Sequence, residues 1–151
     1  MFPKRYSYSQ LNLFASCPLK YKLAYIDKIR KKDEGIESFL GNQVHLTLEW
    51  IYKKKLSGRK VILYDEIKSV FDDYWSRNFH ENIRSAVFGK SKKHKPESHF
   101  IGIGWNALND FSREYGPYFN EKVIDVEYHF SFILDEFIFA GIIDRIDESG
   151  D

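Results

Sequence analysis

Hydrophobic residues recur along this chain with two different periods. From Ile36 to Leu56 the positions Leu40, Val44, Leu48 and Ile51 repeat at the spacing of one helical face, so they are expected to form the buried side of a long α-helix. Ser57-Gly58 ends that pattern. Asp65 to Phe79 repeats it with Ile67, Val70, Phe71, Tyr74 and Trp75, and His99 to Tyr115 reads as another helix, stopped by Gly116-Pro117. Near the start, Ser9 reads as the N-cap of a short helix carrying Leu11, Leu13 and Phe14. Cys17-Pro18 breaks that helix and begins a second, with Pro18 in its first turn and Tyr21 and Tyr25 on one face. The period then changes to two. Ile124, Val126, Tyr128, Phe130, Phe132 and Leu134 alternate with Asp125, Glu127, His129 and Ser131, as in a half-buried strand. Phe137 to Ile146 is apolar on both faces, as a central strand would be, and Asp135-Glu136 between the two makes a β-hairpin. No other segment reads as a neighbour for the open edge of that second strand, so an exposed edge prone to self-pairing is expected.

The polar stretches between these elements read as loops: Ile29 to Gly35, and a mobile basic loop from Gly89 to Ser98. With 151 residues, 43% of them apolar, the chain suits one domain with a core. A net charge of +1 argues neither for nor against nucleic acid, so local clusters matter: Arg30-Lys31-Lys32, Lys53-Lys54-Lys55, and Lys90, Lys92, Lys93 and Lys95. One cysteine, Cys17, excludes an internal disulfide and any multi-cysteine metal site built by this chain alone. The basic N-terminus lacks a signal-peptide core, and no apolar run is long enough to span a membrane. A soluble cytoplasmic protein is the expectation.

Asp144 is the residue most suggestive of chemistry. It sits among Ile142, Ile143 and Ile146, where an ionised carboxylate is costly unless a cation, an arginine or hydrogen bonds compensate it. It could equally reach solvent at a strand end or pair with Arg145. If the hairpin turn has two residues, Glu127 lies opposite Asp144, and such like charges repel unless a cation lies between them. A one-residue slip removes that pairing, and Glu127 then belongs to the solvated face. His45 lies on the long helix with Gly41 and Glu49 one turn to either side. A His/Glu pair at this spacing is a weak metal signal by itself.

Three stretches together resemble the RecB-like branch of the PD-(D/E)XK nuclease superfamily. The first holds Ser9, Leu11, Phe14, Cys17, Pro18 and Tyr21; the second the Gly-x-x-x-His pair Gly41 and His45; the third the hairpin residues Glu127, Gly141, Asp144 and Arg145. The resemblance implies an α/β fold, a helical N-terminal part packed on the start of a mixed sheet, and metal-dependent hydrolysis of DNA phosphodiesters in repair, recombination or defence. It makes Asp144 the central metal-binding carboxylate, His45 a further ligand and Glu127 an auxiliary one, for Mg²⁺ or Mn²⁺. Ser9, Cys17, Pro18, Tyr21, Gly41, Gly141 and Arg145 are then structural residues of its motifs, and the lysines at 90, 92, 93 and 95 candidates for DNA contact. Some members use the cysteine as one ligand of a [4Fe-4S] cluster. This chain has no further cysteine, so a buried structural Cys17 is expected rather than a cluster. The family's Asp/Glu-x-Lys motif on the strand after Asp144 does not follow here, and neither Asp147 nor Asp151 has a lysine two residues on. Residues 1–151 are therefore expected to be the N-terminal part of a single nuclease domain, inactive alone, whose partners are DNA, the missing C-terminal part or a repair helicase. The alternatives are a non-catalytic nucleic-acid- or protein-binding module that keeps the fold, or a helical adaptor.

Overall fold

The computed structural model describes residues 4–29, 34–83 and 96–149. The chain divides into two units, a helical one (Lys32–Ile124 with Asp147–Asp151) and a sheet-bearing one (Met1–Lys31 with Asp125–Ile146).

The helical unit is built on α3 (Ile36–Leu56), α4 (Tyr64–Asn78) and α5 (Glu97–Tyr115), each packed on the other two. The long helix has the expected bounds, but its fully buried stripe is Ile36, Phe39, Gln43, Thr47 and Ile51, with Leu40, Val44 and Leu48 only half-buried. The shift brings two polar side chains inside, and each is satisfied. Thr47 donates to the Gln43 carbonyl at 2.8 Å, and Gln43 donates to the Phe39 carbonyl and accepts from Asn78 at 2.8 Å. Periodicity of apolar residues misses this because a polar residue can be buried when its partners lie within one turn or on the neighbouring helix. Gly58, at φ 92°, takes the left-handed backbone that ends α3. A second polar network joins α4 to α5: Asp72 accepts from the Trp105 indole at 2.6 Å and pairs with Lys68, whose ammonium lies 3.7 Å from the Trp105 ring centroid. Tyr64 donates to the Trp105 carbonyl, and burial raises its phenol pKa above the usual value, with Lys68 opposing and Asp72 and Asp65 adding to the rise.

α4 and α5 approach closely at Gly104. A Cβ there would stand 2.3 Å from the Phe71 ring tip and 3.1 Å from Leu40. Phe71 is fully buried and cannot swing away. Gly104→Ala should therefore destabilise the protein by about 1–3 kcal/mol, despite alanine's better helix propensity. Chemical denaturation measures this, and a neutral result would mean that α5 can shift off Phe71.

In the sheet unit, β1 (Lys4–Tyr6) leads into α1 (Tyr8–Ser16), then α2 (Pro18–Tyr21) and a π-helical turn Lys22–Ile26. The N-cap of α1 is Ser7, not Ser9. The sequence Ser7-x-x-Gln10 forms a reciprocal capping box: the Ser7 backbone N–H donates to Gln10 Oε1 at 2.9 Å and the Gln10 backbone N–H to Ser7 Oγ at 3.3 Å. Ser9 cannot compete, since it lacks a reciprocal partner three residues on. Ser7→Ala should cost about 1 kcal/mol, read as faster amide exchange in α1. Pro18 occupies the first turn of α2 as expected, and Tyr21 stacks on Tyr25. Cys17 is a free thiol and only half-buried, which corrects the expected buried cysteine: α1 and α2 carry no buried residue, so the corner that holds it is open to solvent.

Strands β2 (Val123–Leu134) and β3 (Phe137–Asp147) form the hairpin, with Asp135 at φ 53° in its two-residue turn. The sheet order is β1-β3-β2, and β1 runs parallel to β3 with Lys4, Arg5 and Tyr6 paired to Phe137, Ile138 and Phe139. This corrects the expectation that no segment flanks β3. A three-residue strand is too short to show a period, and it is held through its pairing and by Tyr6 against the rings of Phe137 and Phe139. Phe132 stacks on Phe139, and Phe130 lies over Gly141, as the two-residue turn dictates. Gly141 leaves room for that ring, since a Cβ there would lie 2.9 Å from it. The predicted alternation of β2 holds only in part. Val126 is buried and Phe130 half-buried, whereas Ile124, Tyr128, Phe132 and Leu134 are exposed. Glu127 has φ 54°, a left-handed residue inside a strand, where extended backbone is the rule. No helix among the described residues is long and apolar enough to cross a membrane.

Candidate metal centre

Two of the sequence-predicted site residues meet within the sheet unit. Asp144 projects from β3 and is exposed; Glu127 projects from β2 and is half-buried. A carboxylate oxygen of one lies within 4.8 Å of a carboxylate oxygen of the other. The hairpin brings them together because its two-residue turn sets the register. Two negative charges about 4 Å apart repel by about 1 kcal/mol in water and about 4 kcal/mol at an effective dielectric constant of 20. That arrangement fits a divalent cation. Hard ions such as Mg²⁺ take carboxylate oxygens at about 2.0–2.1 Å, so two oxygens of one coordination shell stand about 3–4 Å apart.

The other predicted residues are placed as follows. His45 is half-buried on α3, in the helical unit. Glu49, one turn further on, is held by an ion pair with Lys53. Gly41, one turn before His45, is exposed, and a Cβ there would meet nothing within 4 Å, so packing does not require glycine. Arg145 is half-buried beside Asp144 in sequence. The lysines at 90, 92, 93 and 95, like the Arg30-Lys31-Lys32 cluster, lie outside the described residues. In the third basic cluster, Lys53 pairs with Glu49, Lys54 lies over the Trp50 ring, and Lys55 donates to the Tyr118 carbonyl. These three lysines serve the C-terminal end of α3, where cations are favoured. The sequence holds a single Glu-x-Lys triplet, Glu66-Ile67-Lys68. It lies on α4, with Glu66 paired to Arg59 and Lys68 to Asp72. Sequence reasoning missed Arg5 and the capping pair Ser7 and Gln10, which border a cleft of the sheet unit; the Ser-x-x-Gln spacing was the available signal.

A family model described as the PD-(D/E)XK nuclease superfamily matches residues 5–151. No curated protein and no solved structure matches the chain.

Proposed function

The chain belongs to the PD-(D/E)XK nuclease superfamily, and from that premise we propose that it acts as a metal-dependent DNA nuclease domain of the RecB-like branch, in repair, recombination or defence. The observation that carries this reading is the approach of Glu127 and Asp144 on adjacent strands. Asp144 is the central ligand of Mg²⁺ or Mn²⁺, and Glu127 the auxiliary one. His45 is a further ligand, supported by the Gly-x-x-x-His spacing on α3 and by the family. When bound, the ion supplies an activated water and neutralises charge developing on a phosphodiester. Asp144 and Glu127 fix its position, and Gly141 leaves room for the Phe130 ring across the hairpin and so helps hold its register. Ser9, Cys17, Pro18 and Tyr21 shape the helical corner that follows β1. The Glu-x-Lys triplet on α4 does not supply the family's catalytic pair, because both its side chains are used in ion pairs on a helix. These 151 residues are therefore expected to bind the ion without cleaving DNA, and in the cell to act on DNA together with a repair partner.

The engagement of Glu66 and Lys68 in ion pairs on α4 favours a second reading, a DNA-binding module that keeps the fold without catalysis. Calorimetric titration with Mn²⁺ separates the two. One bound ion per chain is expected, and absence of binding would overturn the nuclease assignment in favour of the module. DNA degradation by the chain itself, dependent on Mn²⁺ and Asp144, would instead overturn the expected inactivity.

A further inference from the structure

The sheet unit contains a cleft of about 310 Å³ that neither Glu127 nor Asp144 lines. Its walls carry Arg5, Ser7, Gln10, His129, Gly141 and Ile142. Its origin is topological. β1 pairs with β3 only as far as Phe139; at Ser7 the chain leaves the sheet to begin α1, while β3 continues to Asp147. The diverging segments open a gap at the carboxyl end of β1, the position where open sheets with parallel strands take ligands.

The walls favour an anion. Arg5 is exposed, and its side chain makes no hydrogen bond or ion pair with any described residue. Its guanidinium offers five donors and no acceptor. Pairing with Ile138 puts Arg5 on the face of β3 that carries Ile142 and Asp144, by the two-residue alternation. His129 shares that face, because its neighbour Phe130 covers Gly141 on the other. Among the described residues no carboxylate lines the cleft. Ser7 and Gln10 are engaged in the capping box and act as wall, while the start of α1 adds partial positive charge.

The position selects the anion further. Ile142 in the cleft and Asp144 at the candidate metal centre are two residues apart on one strand, about 7 Å. That is close to one step between neighbouring phosphates of an extended nucleic-acid strand. We infer that Arg5, flanked by His129, holds a backbone phosphate of nucleic acid next to the one presented to the Glu127/Asp144 pair. The inference rests on the nuclease reading for the role of the neighbouring position. The phosphate contact itself needs no metal.

The test is therefore run in EDTA. Binding of a fluorescent single-stranded oligothymidylate is measured across a range of salt concentrations. Arg5→Ala should weaken binding roughly tenfold at low salt and reduce the slope of log K against log salt by about 0.7, and Arg5→Lys should keep the slope. The Arg5 Nε–H resonance of the wild type should move with the oligonucleotide and much less with inorganic phosphate at equal phosphate concentration. That arm decides the matter if Arg5→Ala fails to fold. Equal affinity and slope for wild type and Arg5→Ala, or a resonance that the oligonucleotide leaves unmoved, overturns the inference. An equal response to inorganic phosphate overturns the nucleic-acid assignment. Mn²⁺ calorimetry on the same proteins keeps the two readings apart: intact Mn²⁺ binding beside an unchanged Arg5→Ala affinity sinks this inference alone, and absent Mn²⁺ binding beside the expected Arg5 effect sinks the metal reading alone.

Discussion

Asparagine at position 144 should abolish Mn²⁺ binding while leaving the metal-free protein as stable as the wild type. The side chain is exposed and lies outside the hydrophobic core, so the isosteric change removes charge without removing packing. It also relieves the repulsion between two carboxylates whose oxygens approach within 4.8 Å. In the wild type, Mn²⁺ at 100 times its dissociation constant should add about 2.7 kcal/mol to stability. In Asp144→Asn it should add nothing. Glu127→Gln should weaken binding rather than abolish it, because an auxiliary ligand leaves the central one in place. Asp135→Asn, in the hairpin turn, is the control and should bind as the wild type does. Thermal melts with and without Mn²⁺ read all four proteins. Equal metal-induced stabilisation of wild type and Asp144→Asn would sink the assignment of Asp144.

Phe71→Ala should be the most destabilising single change in the helical unit, at about 3–5 kcal/mol. Phe71 is fully buried on α4, against Trp75 of its own helix and Gly104 of α5. Removing the ring leaves a cavity, because Gly104 has no side chain to lean into it. The two sites are coupled for the same reason. Gly104→Ala clashes chiefly with the Phe71 ring, the Leu40 methyl being a flexible side-chain end at 3.1 Å, so in the Phe71→Ala background it should cost little or even stabilise. A double-mutant cycle by urea denaturation should return a coupling energy of about 1–3 kcal/mol. Additive effects would show that the Gly104 backbone, not the ring contact, sets its cost.

The elements themselves were legible in the sequence wherever the physical signal is local. Three-to-four-residue spacing marked the helix from Ile36 to Leu56 with its bounds. Asp135-Glu136 between two apolar runs marked the hairpin, and with it the pairing of Phe132 and Phe139. That register, if the turn had two residues, would place Glu127 opposite Asp144, while a one-residue slip would leave Glu127 on the solvated face; the turn does have two residues. Membership of the PD-(D/E)XK superfamily, suggested by the order of short motifs, is borne out over residues 5–151.

Only the tertiary structure decided the rest. Gln43 and Thr47 are buried because their hydrogen-bond partners are a neighbouring turn and the Asn78 side chain, which apolar periodicity does not register. Lys4–Tyr6 is a strand because β3 offers it an edge, since three residues have no intrinsic preference strong enough to declare themselves. Ser7 caps α1 in place of Ser9 because the chain turns out of the sheet at Ser7, and that turn also opens the cleft beside Arg5. Glu127 adopts a left-handed backbone that no glycine announces. In each case a residue's role was set by partners distant in sequence. A one-dimensional pattern records a side chain's preference for water or oil, and these roles depend on which groups are there to meet it.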